Sequence, residues 1–125
     1  MSFTKIKNDL KEHSGTDVDE EVLEIDKIVE FITLNVFHAG TKQINYRILQ
    51  MLPTDVESIM KTTELTKVPV NKHVNDLEKF GLLERDKGTG KVYPTKMTPL
   101  FISFINVIKK EIKVNVSKML PKLIQ

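Results

Sequence analysis

Amide and basic side chains recur between residues 67 and 91, where they could bind a polyanion. Asparagine can form paired hydrogen bonds with adenine, and lysine can reach the acceptors of guanine. Asn71, Lys72 and Asn75 are therefore the candidates for reading bases, whereas the cations around them are candidates for phosphate contacts. The residues predicted to bind DNA are Lys67, Asn71, Lys72, His73, Asn75, Lys79, Arg85, Lys87, Thr89 and Lys91.

A short helix must position the first half of this set. Thr66 can cap its first turn, and Gly81 can end it in a left-handed conformation. Val70, Val74 and Leu77 share one face, so the lysines and amides fall on the other face. His73 lies at the flank, where a phosphate contact and a surface histidine without a role both stay open. Acidic Asp76 would oppose a polyanion unless it accepts from a cytosine amine or pairs with one of the neighbouring lysines of the helix.

A hairpin follows the helix, with strands around Leu83 and Val92 and a loop at residues 87–90. Arg85, Lys87 and Lys91 flank the loop, whose glycines would make a flexible tip. Such a tip could enter the minor groove or grip the backbone; the alternative is a solvated hairpin without a partner.

Two short helices precede this stretch and complete its architecture. Residues 44–52 are predicted to form the first, and the capping box Thr54–Glu57, with Thr54 as the cap, predicts a second helix that ends near Thr62. Two short helices joined by a tight turn form a helix-turn-helix unit. Residues 44–95 are therefore expected to form its core, mainly α-helical with a small β-hairpin.

Long apolar helices are predicted on both sides of that core, over residues 17–39 and 98–120, the second ending at Pro121. Each is apolar on more than one side, which requires burial on more than one side. The C-terminal helix, about 33 Å long, is too long for so small a body to cover. One interpretation is a two-fold dimer interface, and the other is packing of the two helices within one subunit. The residues predicted for the interface are Val22, Ile25, Val29, Phe101, Ile105, Ile108, Ile112 and Met119.

Length and composition limit the function. The 125 residues are enough for a single domain, and there is no cysteine, no apolar run of membrane-spanning length and no signal segment. The three histidines lie far apart, so we expect no metal, no cofactor and no enzymatic activity, in a cytoplasmic protein. Charge is uneven: residues 1–39 have a net charge of −5 and residues 96–125 a net charge of +5. The ends are thus either complementary to one another or arranged toward a polyanion.

The segment from Thr54 to Tyr93 resembles the winged helix-turn-helix of prokaryotic regulators, especially the multiple-antibiotic-resistance repressor class. The resemblance rests on Leu77-Glu78-Lys79-Phe80-Gly81-Leu82 followed by a charged wing over residues 84–91. Size and layout are also similar to the small leucine-responsive-regulator-like proteins of Sulfolobus, which implies an archaeal, dimeric DNA-binding protein. Val68 and Pro69 depart from the pattern, because such helices usually carry Ser or Thr there.

These features predict a dimeric transcription regulator that binds double-stranded DNA with full or partial sequence specificity. The predicted helix would lie in the major groove, and the wing on the backbone or in the minor groove. The alternatives are a winged-helix protein–protein interaction module and an architectural DNA binder. Nothing in the sequence marks a small-molecule effector.

Overall fold

The structure is a computed structural model that describes residues 21–124 and, within them, the side chains of residues 24–122. The predicted beginning of the first long helix at residue 17 and the side chain of Val22 lie outside the described residues. The described elements are, in order, α1 (Glu21–Gly40), α2 (Gln43–Met51), β1 (Thr54–Asp55), α3 (Val56–Thr63), α4 (Lys67–Lys79), β2 (Leu83–Arg85), β3 (Lys91–Pro94) and α5 (Met97–Ile124).

The core lies where the three short helices meet the sheet. Ile48 of α2, Ile59 of α3 and Val92 of β3 have no exposed surface. The predicted inner face of α4 is confirmed, since its valines at 70 and 74 and its leucine at 77 are also fully buried. Burial of this face fixes α4 by its apolar side and leaves the polar side outward.

The sheet has three antiparallel strands in the order β1-β3-β2, one strand more than the predicted hairpin. Thr54 pairs with Val92, so its backbone belongs to the sheet and not to a helix. The prediction that Thr54 caps α3 is therefore wrong by one residue. Asp55 is the cap, and its carboxylate accepts a hydrogen bond of 2.8 Å from the backbone N–H of Ser58.

The end of α4 follows the prediction. Gly81 has a φ of +75°, its N–H donates to the carbonyl of Glu78, and the N–H of Leu82 donates to the carbonyl of Leu77, both at 3.0 Å. This pair of bonds is the Schellman arrangement, which turns the chain directly into β2. At the other end Thr66 occupies the cap position, but its side chain makes no capping hydrogen bond, so that part of the prediction is wrong.

Aromatic rings join α1 to the beginning of α5. The Phe37 ring centroid lies 5.3 Å from that of Phe101 and 5.2 Å from that of Phe104. Gly40 permits the contact, because a methyl group there would lie 2.5 Å from the Phe101 ring. Phe101 is only 5% exposed. Because it is already buried within the chain, it has little surface to offer a second subunit, and its place in the predicted interface stays a prediction.

Beyond this junction α5 extends away from the body, by which we mean the core of short helices and the sheet. Ile105 is half-buried against the core, and every residue from 106 to 122 is exposed. The helix also continues past Pro121, contrary to the prediction, to Ile124. Proline lacks one backbone donor, but its fixed φ is close to the helical value, so the backbone need not turn away. No helix within residues 21–124 has the length and apolar character to cross a membrane.

Candidate nucleic-acid interface

Four side chains form the outward stripe of α4: Val68, Lys72, Asn75 and Lys79. All four are exposed, opposite the buried face of the helix. Lys79 also lies over the ring of Phe80, with Nζ 5.3 Å from its centroid. The stripe therefore presents two cations and one amide, preceded by an apolar side chain that is 65% exposed.

Arg85 of β2 joins the wing to α4. Its Nη1 donates to Oδ1 of Asn75 at 3.0 Å, and its Nη2 donates to Oδ1 of Asn71. Its backbone N–H donates to the carboxylate of Glu78 at 3.2 Å. The three acceptors are four and three residues apart, so they share one side of the helix. The structure thus brings Arg85 to the predicted base-reading amides, whereas the sequence suggested only a wing contact.

This arrangement changes what the amides can offer a base. Pairing with adenine uses the Oδ1 of asparagine as an acceptor and its Nδ2 as a donor. In Asn71 and Asn75 that oxygen already accepts from Arg85. The Nδ2 donors and the ammonium of Lys72 are better suited to acceptors such as O6 and N7 of guanine. The geometry favours a site rich in acceptors over one read by adenine pairing.

Asp86 organises the tip of the wing. Its Oδ1 accepts from the N–H of Gly88 at 3.0 Å, and its carbonyl accepts from the N–H of Gly90, also at 3.0 Å. The hydrogen bond from Gly88, followed by that from the Thr89 hydroxyl, holds the pKa of Asp86 below its usual value. Gly90 has a φ of +72°. The tip that was expected to be flexible is therefore a turn closed by hydrogen bonds.

A cleft of about 490 Å³ lies between the wing, the beginning of α3 and the beginning of α4. It brings together four of the residues predicted to bind DNA: Lys67, Arg85, Lys87 and Thr89. Asp55 and Glu57 also line the cleft, so its potential is mixed. Lys91 lies on the neighbouring strand, exposed and opposite Asp55 in the sheet.

His73 and Asp76 are on another side of α4, toward α2. Nδ1 of His73 lies 2.7 Å from Oδ1 of Asn45, whose Nδ2 donates to the carbonyl of Ala39 at 2.8 Å and to the carboxylate of Asp76 at 3.0 Å. The ammonium of Lys42 is 3.5 Å from the same carboxylate. Of the alternatives left open for Asp76, pairing with a lysine is the one observed, but the lysine is Lys42 and not one of its own helix. Its partners come from α2 and the turn before it.

Asn45 is the residue that sequence reasoning missed. It is fully buried, and burial of an amide is costly unless its donors and acceptor are bonded. The signal was present, because Asn45 precedes Ile48 and Leu49 by three and four residues and so shares their buried face. Elsewhere among the described residues, no group of three or more histidine or acidic side chains could hold a metal ion.

The chain matches no family model and no curated protein. Among solved structures it is similar to HlyU from Vibrio cholerae N16961, a winged-helix transcription regulator. The TM-score is 0.53 at 18% identity, over 62% of this chain and 90% of that chain. This similarity shows the fold: the protein is a winged helix, as predicted. The two narrower family resemblances stay predictions.

Proposed function

We propose that the protein is a dimeric transcription regulator that binds double-stranded DNA, with α4 in the major groove and the wing on the backbone or in the minor groove. The observation that carries the proposal is that Arg85 connects the wing to the outward stripe of α4. Its bonds to Asn71 and Asn75 join the basic wing to the outward stripe of α4. A helix flanked by such a wing can enter a groove while the wing contacts the adjacent backbone.

Phosphate contacts supply most of the affinity in this proposal. Lys67, Lys79, Lys87 and Lys91 are all exposed, so each ammonium can reach a phosphate. Each ammonium that meets a phosphate releases condensed counterions, which makes binding dependent on salt. The net charge of the whole chain is only +2, so attraction must come from this local surface.

Base readout is expected to be partial. Lys72, Asn75 and Asn71 can reach base edges, but Val68 occupies the beginning of the stripe and has no polar group to offer. His73 is held by Asn45, so its role in this proposal is to position α4. Because few side chains contact bases directly and most of the affinity is electrostatic, we expect semi-specific binding.

Dimerisation is proposed from exposed apolar surface on the two long helices. Ile25 and Val29 of α1 are 60% and 56% exposed, and Ile112 and Met119 of α5 are 54% and 56% exposed. Contiguous apolar surface of this kind usually marks an interaction site. A single domain over residues 1–125 and a cytoplasmic location, where the DNA target lies, belong to the same proposal.

The test is binding to duplex DNA as a function of salt. For Lys91→Ala, the slope of log K against log salt should flatten by about one unit, as for one lost phosphate contact. Lys110→Ala is the matched control: it removes the same charge from an exposed position on α5, away from the wing, and should leave the slope unchanged. Equal slopes for the wild type and Lys91→Ala would reject the wing contact. Absence of duplex binding at low salt would reject the function.

A second candidate is a protein-interaction module. An apolar cleft of about 460 Å³ between α1 and α5 is lined by Ile32, Val36, Phe37, Leu100, Phe101 and Phe104, among others. Leu100 and Phe104 are 69% and 50% exposed, enough to anchor a partner helix. This function becomes the better one if duplex DNA fails to bind at low salt.

A further inference from the structure

We propose that α5 beyond Ile105 pairs with α5 of a second copy as an antiparallel coiled coil, centred between Lys113 and Val114. The inference rests on the dimer of the proposed function and deepens it, because it names the helix, its direction and its register. It makes no use of the DNA surface. The two proposals can therefore fail separately.

An isolated helix of this composition lacks what normally stabilises helices. Every residue from 106 to 122 is exposed, including Val107 at 66%, Ile112 at 54% and Met119 at 56%. Helices in proteins owe most of their stability to burial of an apolar face, not to intrinsic propensity. β-Branched residues such as Val107, Ile112 and Val116 lower that propensity further. The free part of α5 therefore requires a partner surface.

The spacing of four apolar and two polar residues along one side of α5 identifies the partner as another helix. Ile105, Ile108, Ile112, Asn115, Met119 and Lys122 follow one another by steps of 3, 4, 3, 4 and 3. This is the seam of a two-helix coiled coil, in which residues of one helix fit between those of the other. We call these six residues the seam. Its first member packs on the body, and the rest extend into solvent.

Charge decides between the two directions. A parallel pair would place each Lys122 opposite Lys122 of the partner subunit, and no acidic side chain would lie near them. Glu111 is the one acidic residue between 106 and 122, and it lies beside the seam on the same side as Lys118. In an antiparallel pair Glu111 faces the partner's Lys118, and symmetry repeats this ion pair. The antiparallel direction is therefore the one in which opposite charges of the two helices attract each other.

The same register gives a consistent set of layers. Ile108 packs against the partner's Met119, and Ile112 against the partner's Asn115. The two Asn115 amides then lie near the two-fold axis, within reach of one another. A buried polar residue at one layer is a known means of fixing the alignment of a coiled coil.

The alignment sets the distance between the winged bodies. At ~1.5 Å per residue, the two Ile105 positions lie about 25 Å apart along the rod, and the two Phe101 positions about 38 Å apart. These values bracket the ~34 Å between half-sites one turn apart on DNA. A parallel pair would instead place both bodies at the same end of the rod.

Disulfide trapping tests the direction, and the chain contains no cysteine to interfere. We expect that neither full-length Ile108→Cys nor full-length Met119→Cys oxidises to a covalent dimer alone, because like positions lie about 16 Å apart along the axis. An equimolar mixture of the two should form the mixed disulfide. A parallel coil reverses this: each variant alone gives covalent dimers, and the mixture contains only those homodimers and no mixed disulfide.

A charge exchange tests the register independently. Glu111→Lys should weaken the dimer by about 2- to 30-fold for two lost ion pairs, and adding Lys118→Glu should restore it. The inference is overturned if either single cysteine variant forms a covalent dimer, or if the mixture does not trap the dimer. It is also overturned if Lys118→Glu does not restore the dimer affinity, or if the protein is a monomer at all concentrations. DNA binding by such a protein would leave the proposed function standing. A trapped antiparallel dimer without DNA binding would reject only that function.

Discussion

Replacement of Arg85 by lysine separates positioning from charge in the candidate DNA surface. The guanidinium of Arg85 holds two amides at once, through Nη1 to Asn75 and Nη2 to Asn71. A lysine keeps the positive charge but has one ammonium on a flexible stem, so it cannot reproduce the fork. The third contact, from the backbone N–H to Glu78, does not depend on the side chain.

The expected magnitude follows from the exposure of the two amides. Asn75 is exposed, so water competes for its bond and the loss there is small; Asn71 is half-buried and its bond is worth about 1 kcal/mol. Arg85→Lys should lower the free energy of unfolding by about 1 kcal/mol, a few degrees in melting temperature. Freed amides should also lower the preference for a selected site over random DNA by about tenfold, or 1–2 kcal/mol.

The assay is a titration of DNA at several salt concentrations, with one duplex selected from a random pool and one random duplex. Arg85→Lys should reduce the ratio of the two affinities and keep the salt slope, since no charge is lost. Lys87→Ala, in the same cleft, is the matched control and should flatten the slope by about one unit and keep the ratio. If Arg85→Lys leaves the ratio intact, the idea that Arg85 prepares the amides for readout is refuted.

Three further predictions concern the scaffold. Gly81→Ala should cost about 1–2 kcal/mol in denaturant unfolding, because alanine is strained at this positive φ although nothing lies within 4 Å of the added carbon; Gly88→Ala, without a positive φ, should change it by less than ~0.5 kcal/mol. Gly40→Ala should cost about 1–3 kcal/mol by forcing a methyl against the Phe101 ring, and Phe101→Leu in the same chain should recover part of the loss if that clash is the cause. The backbone hydrogen bond that Asp55 accepts lowers its pKa from 3.8. Its charge therefore stabilises the fold above about pH 4, and the stability advantage over Asp55→Asn should shrink as pH falls through the lowered folded-state pKa; an advantage that is constant down to pH 2 contradicts this.

Local periodicity was sufficient for the elements that carry their own signal. The inner face of α4 and the left-handed Gly81 follow from residue spacing and from the steric freedom of glycine. β1 has no such signal, because two residues, Thr54 and Asp55, show no alternation. That strand exists through its pairing with β3, more than thirty residues later in the chain.

The candidate site shows the same limit. Residue types correctly identified which segments face outward, yet the partner of each side chain depended on contacts between distant segments. Arg85 is fourteen residues from Asn71, and Asn45 is twenty-eight residues from His73. Phe101 shows that the spacing of apolar residues does not distinguish a core from an interface, because its position on the apolar face of α5 fits both equally. The close approach that Gly40 allows is what makes it core.

The network around Asn45 determines how firmly α4 is held. Both hydrogens on Nδ2 are committed, to the carbonyl of Ala39 and to Asp76, so Oδ1 must accept and Nδ1 of His73 must donate. This network attaches α4 to α1 and α2, while Arg85 holds it from the wing. Fixed on both flanks, the outward stripe has its shape before a ligand arrives, and little ordering entropy remains to be lost on binding.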